Sequence, residues 1–519
     1  MPVHFAMLIP GPSTARAGQD AGEPPEAGEG LAARVAAGPG LWEDEDWLAD
    51  LRRESLPESL LAGGTIAAAA AAEHAHKQER ALNAEVTALC LVTGALFPVL
   101  GYDPVLALVF GLPGLPARPG TPVPTGPAYS KARERSGEAP ARAMFGHDAA
   151  RDDIPAGPDG AAFGLEITQI DGTTLELFKD PLLAEQFGTP SPGAKPLLRL
   201  VGLLHSGTRR WKAAVIGRYL DGENALADQL QDAFGTGQLN LADRGFFSMD
   251  RWLRFSGTGA HLLWRVKNSA KSVPFKTLKL LKDGSELVLL RESDGMRSRR
   301  RTAAGDKALP SLPDTVARLI SFTVLTRTGG GRVKTTQIRL LTTLLDPGFY
   351  PAAGLAALYQ KRWLIEIAFL HLKKTVRGTG RVLRGRSAEL VRQEAWALLL
   401  AHNMIAGLAA RAAATAGLTP GEITFTAVLS LARAAISADT CCPHCHKRPA
   451  SGNAPLAGLG AAILALPRRP PADLRPHRRR TTEMDQRTSR VHPPHRPVKS
   501  PENRRKSRKL RAVGSSGCP

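Results

Sequence analysis

The 519-residue chain has few cysteines, few aromatics and no long uninterrupted apolar run. Five cysteines in a chain of this length exclude a disulfide scaffold and point to a reducing compartment. Cys90 lies in an apolar run and is expected in a core, Cys441, Cys442 and Cys445 cluster, and Cys518 stands near the end. Aromatics make up 5% and alanine fills much of the 43% apolar quota, which weakens the helix and core signals along the chain. The longest apolar stretch, 86–110, is interrupted by Pro98, Gly101, Asp103 and Pro104. A spanning helix needs about 20 continuous apolar residues, so buried helices are expected there and no membrane segment. The opening residues hold Pro10, Pro12 and acids rather than a basic segment followed by an apolar one, which is not a signal-peptide pattern.

Acidic charge is also in short supply. Lys and Arg number 68 against 48 Asp and Glu, a net charge of +20, which argues against a halophilic enzyme. The excess favours a polyanionic partner, nucleic acid ahead of an anionic membrane surface. It is unevenly spread: residues 1–60 carry a net −7 and residues 467–511 a net +12. The Gly-, Pro- and acid-rich leader (1–40) and the Pro- and Arg-rich tail are expected to be disordered, the tail as an interaction arm.

Length suggests two to four domains, or one large domain with insertions. Residues 41–150 read as helical: 42–61, 65–100, 104–111 and, after a Pro/Gly-rich link, 129–145. Residues 160–270 alternate strand patterns (164–170, 197–204, 212–216, 239–242, 261–267) with helical windows such as 222–233, implying an α/β core. Residues 271–345 are basic and strand-rich, and 350–440 strongly helical. No internal repeat is present.

Two acids occupy positions where α/β sheets present ligands. Asp171 follows the strand pattern ending at Ile170 and precedes Gly172. Asp243 follows 239–242 and precedes Arg244-Gly245. Each reads as an acid at a strand end beside a glycine that permits a tight turn, although such acids are often only turn or capping residues. On a helix over 359–376, Tyr359, Arg362, Glu366 and Lys373 fall within roughly 60° of one another at 100° per residue. Leu364, Ile365, Ala368, Phe369 and Leu372 lie on the other sides. Such a polar stripe can be a merely solvated face with an Arg362–Glu366 pair. It also gathers one carboxylate with phosphate-binding cations.

The pattern Tyr359-x2-Arg362-x3-Glu366-x6-Lys373 resembles, in every spacing, the signature helix of DDE transposases of the IS-four insertion-sequence family. Ile170-Asp171-Gly172-Thr173-Thr174-Leu175 resembles that family's first acidic motif, and Leu241-Ala242-Asp243-Arg244-Gly245-Phe246-Phe247 its second. The resemblance covers roughly residues 40–420.

It implies an α/β fold with an RNase H-like mixed-sheet catalytic core (151–267 and 346–430). A β-rich insertion (268–345) would interrupt that core. A helical DNA-binding domain (41–150) would precede it, and a C-terminal region with a basic tail (431–519) would follow. It further implies a bacterial, cytoplasmic, nucleoid-associated enzyme of cut-and-paste transposition. Asp171, Asp243 and Glu366 would be the catalytic and metal-binding acids for two Mg2+ ions, with Mn2+ as substitute. Arg362, Lys373 and Tyr359 would contact DNA phosphates. The partners implied are double-stranded DNA, at terminal inverted repeats and target, and a second copy of the chain in a synaptic dimer. Phosphodiester cleavage near neutral pH suits this set, because hard carboxylate oxygens hold Mg2+ and a pair of ions stabilises charge on phosphorus. The rival readings are a decayed or domesticated DNA-binding protein and a metal-dependent nuclease without strand transfer.

Other features are weaker. Cys442-x2-Cys445 with His444 or His446 is half of a zinc site, without a second pair nearby. Trp264 and Trp363 are candidates for base stacking or for core. Lys131, Arg133 and Arg135 are candidates for DNA contact or a wet helix face. His402 and Asn403 sit in an apolar helix and are expected as core groups with local hydrogen bonds.

Overall fold

The computed structural model describes residues 5–9, 81–112, 122–268, 275–327, 333–439 and 459–466, with Thr65, Ala68 and Ala71 as isolated positions. The helix expected over 42–61, the rest of the 1–40 leader, the Cys441–Cys445 cluster and the basic tail lie outside the described residues.

Among the described residues, four helices precede the main run of strands: α1 (Ala84–Leu96), α2 (Tyr102–Phe110), α3 (Gly126–Ser136) and α4 (Ala139–Ala149). The Asn83 side chain caps α1 by accepting from the Val86 N–H. The single helix expected over 129–145 is two, because Gly137 takes φ +66° and Pro140 follows at the start of α4. The strands are β1 (Phe5–Ile9), β2 (Ala161–Ala162), β3 (Leu165–Glu176), β4 (Leu197–His205), β5 (Trp211–Arg218), β6 (Gln238–Ala242), β7 (His261–Val266), β8 (Phe275–Leu280), β9 (Glu286–Leu290), β10 (Thr315–Arg327) and β11 (Val333–Thr342). Between and after them run α5 (Pro181–Phe187), α6 (Glu223–Asp228), α7 (Met249–Ser256), α8 (Asp294–Ala304), α9 (Ala352–Tyr359), α10 (Trp363–Leu370), α11 (Ala388–Thr415), α12 (Phe425–Asp439) and α13 (Leu459–Leu464).

All the described strands join one mixed sheet in the order β5-β4-β3-β6-β7-β11-β10-β9-β8. β3, β4 and β5 are antiparallel neighbours, whereas β6 runs parallel to β3 and β7 parallel to β6. The strands of segment 268–345 extend this sheet: β11 pairs antiparallel with β7, and β10, β9 and β8 follow. Within the leader, β1 lies parallel to β10, so residues 5–9 depart from the disorder expected for 1–40.

Both faces of the sheet are covered. Ile170, Val201 and Leu203 meet Leu226 of α6 and Trp252 and Phe255 of α7 on one face. Ile167, Leu239 and Leu241 meet Leu355 and Tyr359 of α9 on the other. A third core joins α1–α4 to α10, α11 and α12, so the helices expected as a separate N-terminal domain share their apolar interior with the helices that follow the sheet. The Ser387 side chain caps α11. Its 28 residues are long and apolar enough to cross a membrane, but most of them are buried inside the protein against α1 and α4. Cys90 is buried as expected, and burial pushes its thiol pKa up.

Candidate active site

Asp171 sits inside β3, not beyond its end. The strand continues to Glu176, pairing Asp171 with Gly202 and Glu176 with Leu197 of β4. Gly172 therefore makes no tight turn, which corrects the expectation for this motif. The parallel ladder to β6 stops at Ile170 opposite Ala242, so Asp171 and Asp243 are the next residues along two adjacent strands. Neighbouring strands lie about 4.8 Å apart. Past that point β6 turns away, the Phe246 N–H donating to the Asp243 carbonyl at 3.1 Å, and β3 from 171 to 176 is left without a β6 neighbour. Asp243 does stand at a strand end, as read from sequence.

The stripe of Tyr359, Arg362, Glu366 and Lys373 is helical throughout but not one ideal helix. A tight turn at 360–362 separates α9 from α10, and a wide π-type turn at 371–376 carries Lys373. The stripe faces the sheet rather than solvent: the Arg362 and Glu366 side chains are only 11% and 14% exposed. Arg362 lies between the acids, 3.5 Å from an Asp171 oxygen and 2.7 Å from Glu366 Oε1. Lys373 Nζ donates to Thr173 Oγ1 at 2.9 Å. Tyr359 is buried, and its hydroxyl donates to the Ala242 carbonyl at 3.2 Å, so it braces the strand that ends at Asp243.

The electrostatics are those of a confined acidic pocket. Burial pushes the Asp171 carboxyl up to about 6; Arg362 and the Gly172 N–H oppose this, and Glu366 and Glu223 add to it. The Gly172 N–H donates to Asp171 Oδ1 at 2.9 Å. Asp243 Oδ1 is buried and accepts no hydrogen bond from any described residue; the nearest cation, Arg265, is 3.6 Å away. Carboxylate oxygens are the donors that hard divalent cations prefer, and an orphaned buried oxygen suits a cation. Among the described residues, no three His, Cys, Asp or Glu side chains form a ready-made cluster that could hold a metal, and the Arg362 guanidinium stands between Asp171 and Glu366.

Two nearby residues escaped the sequence reading. Arg265 on β7 flanks Asp243, and Glu223 at the start of α6 presses against Gly172. The signal for Glu223 was the glycine itself, a residue with no side chain inside an otherwise side-chain-bearing strand.

Several other candidates are structural. Trp264 is fully buried against Trp252 and Phe255 and donates to Asn240, so it stacks no base. Trp363 is half-buried. Arg133 is buried, donating to Gln393, Glu394, Tyr102 and the Leu390 carbonyl, and Arg135 donates to the Leu82 carbonyl; of the three basic residues of α3 only Lys131 is exposed. His402 and Asn403 are core groups, but the Asn403 hydrogen bonds are long-range, to Trp211 and Asp148.

The sequence that builds this site has known relatives. Residues 163–404 match the family model described as a transposase DDE domain. That segment is similar to the DDE domain of transposases. Asp171, Asp243, the Tyr359–Lys373 stripe and Glu223 all fall inside the matched DDE domain. The chain is 30% identical over 247 residues to the transposase InsG for insertion sequence element IS4 of Escherichia coli K12, covering 47% of this chain and 52% of that one. It is 28% identical over 142 residues to InsZ of the same strain, covering 26% of this chain and 48% of that one. The chain thus spans about half the length of the curated relatives it matches. A solved piggyBac transposase synaptic complex with hairpin DNA matches over 89% of this chain and 88% of its own at a TM-score of 0.37 and 12% identity, a likeness too loose to carry an argument.

Proposed function

We propose that this protein is the transposase of an insertion sequence, cutting and joining DNA at terminal inverted repeats with Asp171, Asp243 and Glu366 as its catalytic acids. The observation that carries the reading is the convergence of a strand-borne pair and a helix-borne acid. Asp171 and Asp243 each follow the last register pair of two parallel strands, Ile170 and Ala242, and the Arg362 guanidinium ties Asp171 to Glu366. The order β5-β4-β3-β6-β7, antiparallel across the first three and parallel from β3 to β7, supports an RNase H-like core.

Asp171, Asp243 and Glu366 would hold divalent ions, Mg2+ or Mn2+. Bound there, two such ions would activate the attacking hydroxyl and neutralise charge on the phosphorus. The chain's own groups do the positioning. Tyr359 fixes the end of β6 and so the direction of Asp243. Lys373, held by Thr173 two residues from Asp171, places an ammonium where a scissile phosphate would lie. Arg362 neutralises the acids in the absence of a metal and is placed to turn to a DNA phosphate when one arrives. The partners are double-stranded DNA and a second copy of the chain, since two transposon ends must be joined. Bacterial cytoplasm is the compartment that fits this chemistry.

The test is cleavage of a plasmid carrying the element's ends. With Mg2+, the wild type should cut and join, whereas Asp243→Asn and Glu366→Gln should bind ends without cutting. Efficient cutting by either variant overturns the assignment. Wild-type binding without cutting marks a decayed copy, and cutting without joined products marks a nuclease.

A further inference from the structure

We propose that Glu223 is a fourth carboxylate of the divalent-ion centre, reaching it from the face of the sheet opposite Glu366, and that Gly172 is glycine to make room for it. The inference rests on the metal-dependent reading above.

Successive residues of a strand point to opposite faces. Asp171 meets Arg362 on the α10 side, so the missing side chain of Gly172 faces α6. That space is taken: a Cβ on Gly172 would fall 2.2 Å from Glu223 Oε1 and 2.8 Å from its carboxyl carbon. The carboxylate lies directly on the backbone next to Asp171, on the peptide whose N–H already holds Asp171 Oδ1. Gly222, at φ +77°, turns the chain so that Glu223 starts α6 at this spot.

A sheet would ordinarily keep two such acids apart. Here it is open, because the β3–β6 ladder ends at Ile170 and Ala242. Beyond that last pair, β3 loses its β6 partner, with Asp171 and Asp243 at the mouth of the gap, which groups from α6 and α10 can approach from either side.

Glu223 also has the character of a residue held for a cation. Its carboxylate is half-buried and makes no hydrogen bond or ion pair with any described residue. A merely structural glutamate at a helix start would cap the helix or pair with a cation. This one is pressed instead against the strand that carries the catalytic acid.

The test measures metal binding without DNA. Titration calorimetry of the full chain with MnCl2 should give a dissociation constant roughly 10-fold weaker for Glu223→Gln than for wild type. Gly172→Ala, which displaces the carboxylate while leaving it in the chain, should weaken binding similarly. Asp171→Asn should abolish binding. If Asp171→Asn loses Mn2+ while Glu223→Gln and Gly172→Ala keep wild-type affinity, the fourth-carboxylate assignment is wrong and the metal reading stands. If Asp171→Asn also keeps wild-type affinity, both fall. Circular dichroism of each variant separates loss of a ligand from loss of fold.

Discussion

The Tyr359 hydroxyl donates to the Ala242 carbonyl, one residue before Asp243. The resemblance to IS-four transposases implies a phosphate contact for this tyrosine; in the DNA-free chain its hydroxyl braces the strand end. A neutral hydrogen bond contributes about 0.5–1.5 kcal/mol net. Tyr359→Phe should therefore lower unfolding stability by about 1 kcal/mol in urea titrations and slow cleavage, with end-DNA affinity intact. Loss of DNA affinity at unchanged stability would put the hydroxyl on a phosphate instead.

Asp171 predicts a pH effect on the metal-free protein. Its folded pKa of about 6 lies above the ordinary aspartate value of 3.8, so between those pH values the native state keeps a proton that the unfolded chain has released. The contribution of this group to stability is greatest below pH 4 and falls as pH rises through 6, by about 3 kcal/mol in all. Asp171→Asn cannot titrate. In EDTA, the stability of wild type minus that of Asp171→Asn should decline from pH 4 to pH 7. A difference that stays flat or grows would show that Arg362 outweighs burial at this carboxyl.

The places where sequence and structure agree have a physical basis, and so do the misreadings. Strand patterns at 197–204, 239–242 and 261–267 matched β4, β6 and β7, since apolar runs bounded by turn residues are local signals. The motif Asp171-Gly172-Thr173 was read as the end of a strand because its residue types favour turns. Only the long-range partner β4 keeps it extended. The helical wheel grouped Tyr359, Arg362, Glu366 and Lys373 correctly, but a wheel cannot say whether a polar stripe faces water or a sheet. The Arg-rich helix α8 at 294–304 went unread because it buries no face that periodicity could reveal.

Arg133 shows the same limit and gives a stability test. Spaced basic residues on α3 look like a wet face, yet the partners of Arg133, Gln393 and Glu394, lie about 260 positions away on α11. Removing one member of a buried ion pair costs about 3–5 kcal/mol, because the other charge is stranded. Glu394→Ala should destabilise the protein on that scale and reduce DNA binding only as folding is lost. Lys131→Ala, at an exposed position, should leave stability within about 0.5 kcal/mol. A folded Glu394→Ala protein with selectively weakened DNA binding would return Arg133 to the DNA surface.

Arg362 is the cation that Asp171 and Glu366 already share, so it should compete with any metal that they bind. Without it, Asp171 and Glu366 lose the guanidinium between them, and the metal-free protein should lose stability by about 3–5 kcal/mol. A divalent ion would then restore more than it does in wild type, since no guanidinium has to be displaced. In thermal melts with and without 10 mM Mg2+ (a concentration of roughly the order that saturates weak carboxylate sites), Arg362→Ala should start lower and show the larger metal-induced rise. A rise no larger than that of wild type would mean that guanidinium and metal occupy different places, with Arg362 serving only DNA.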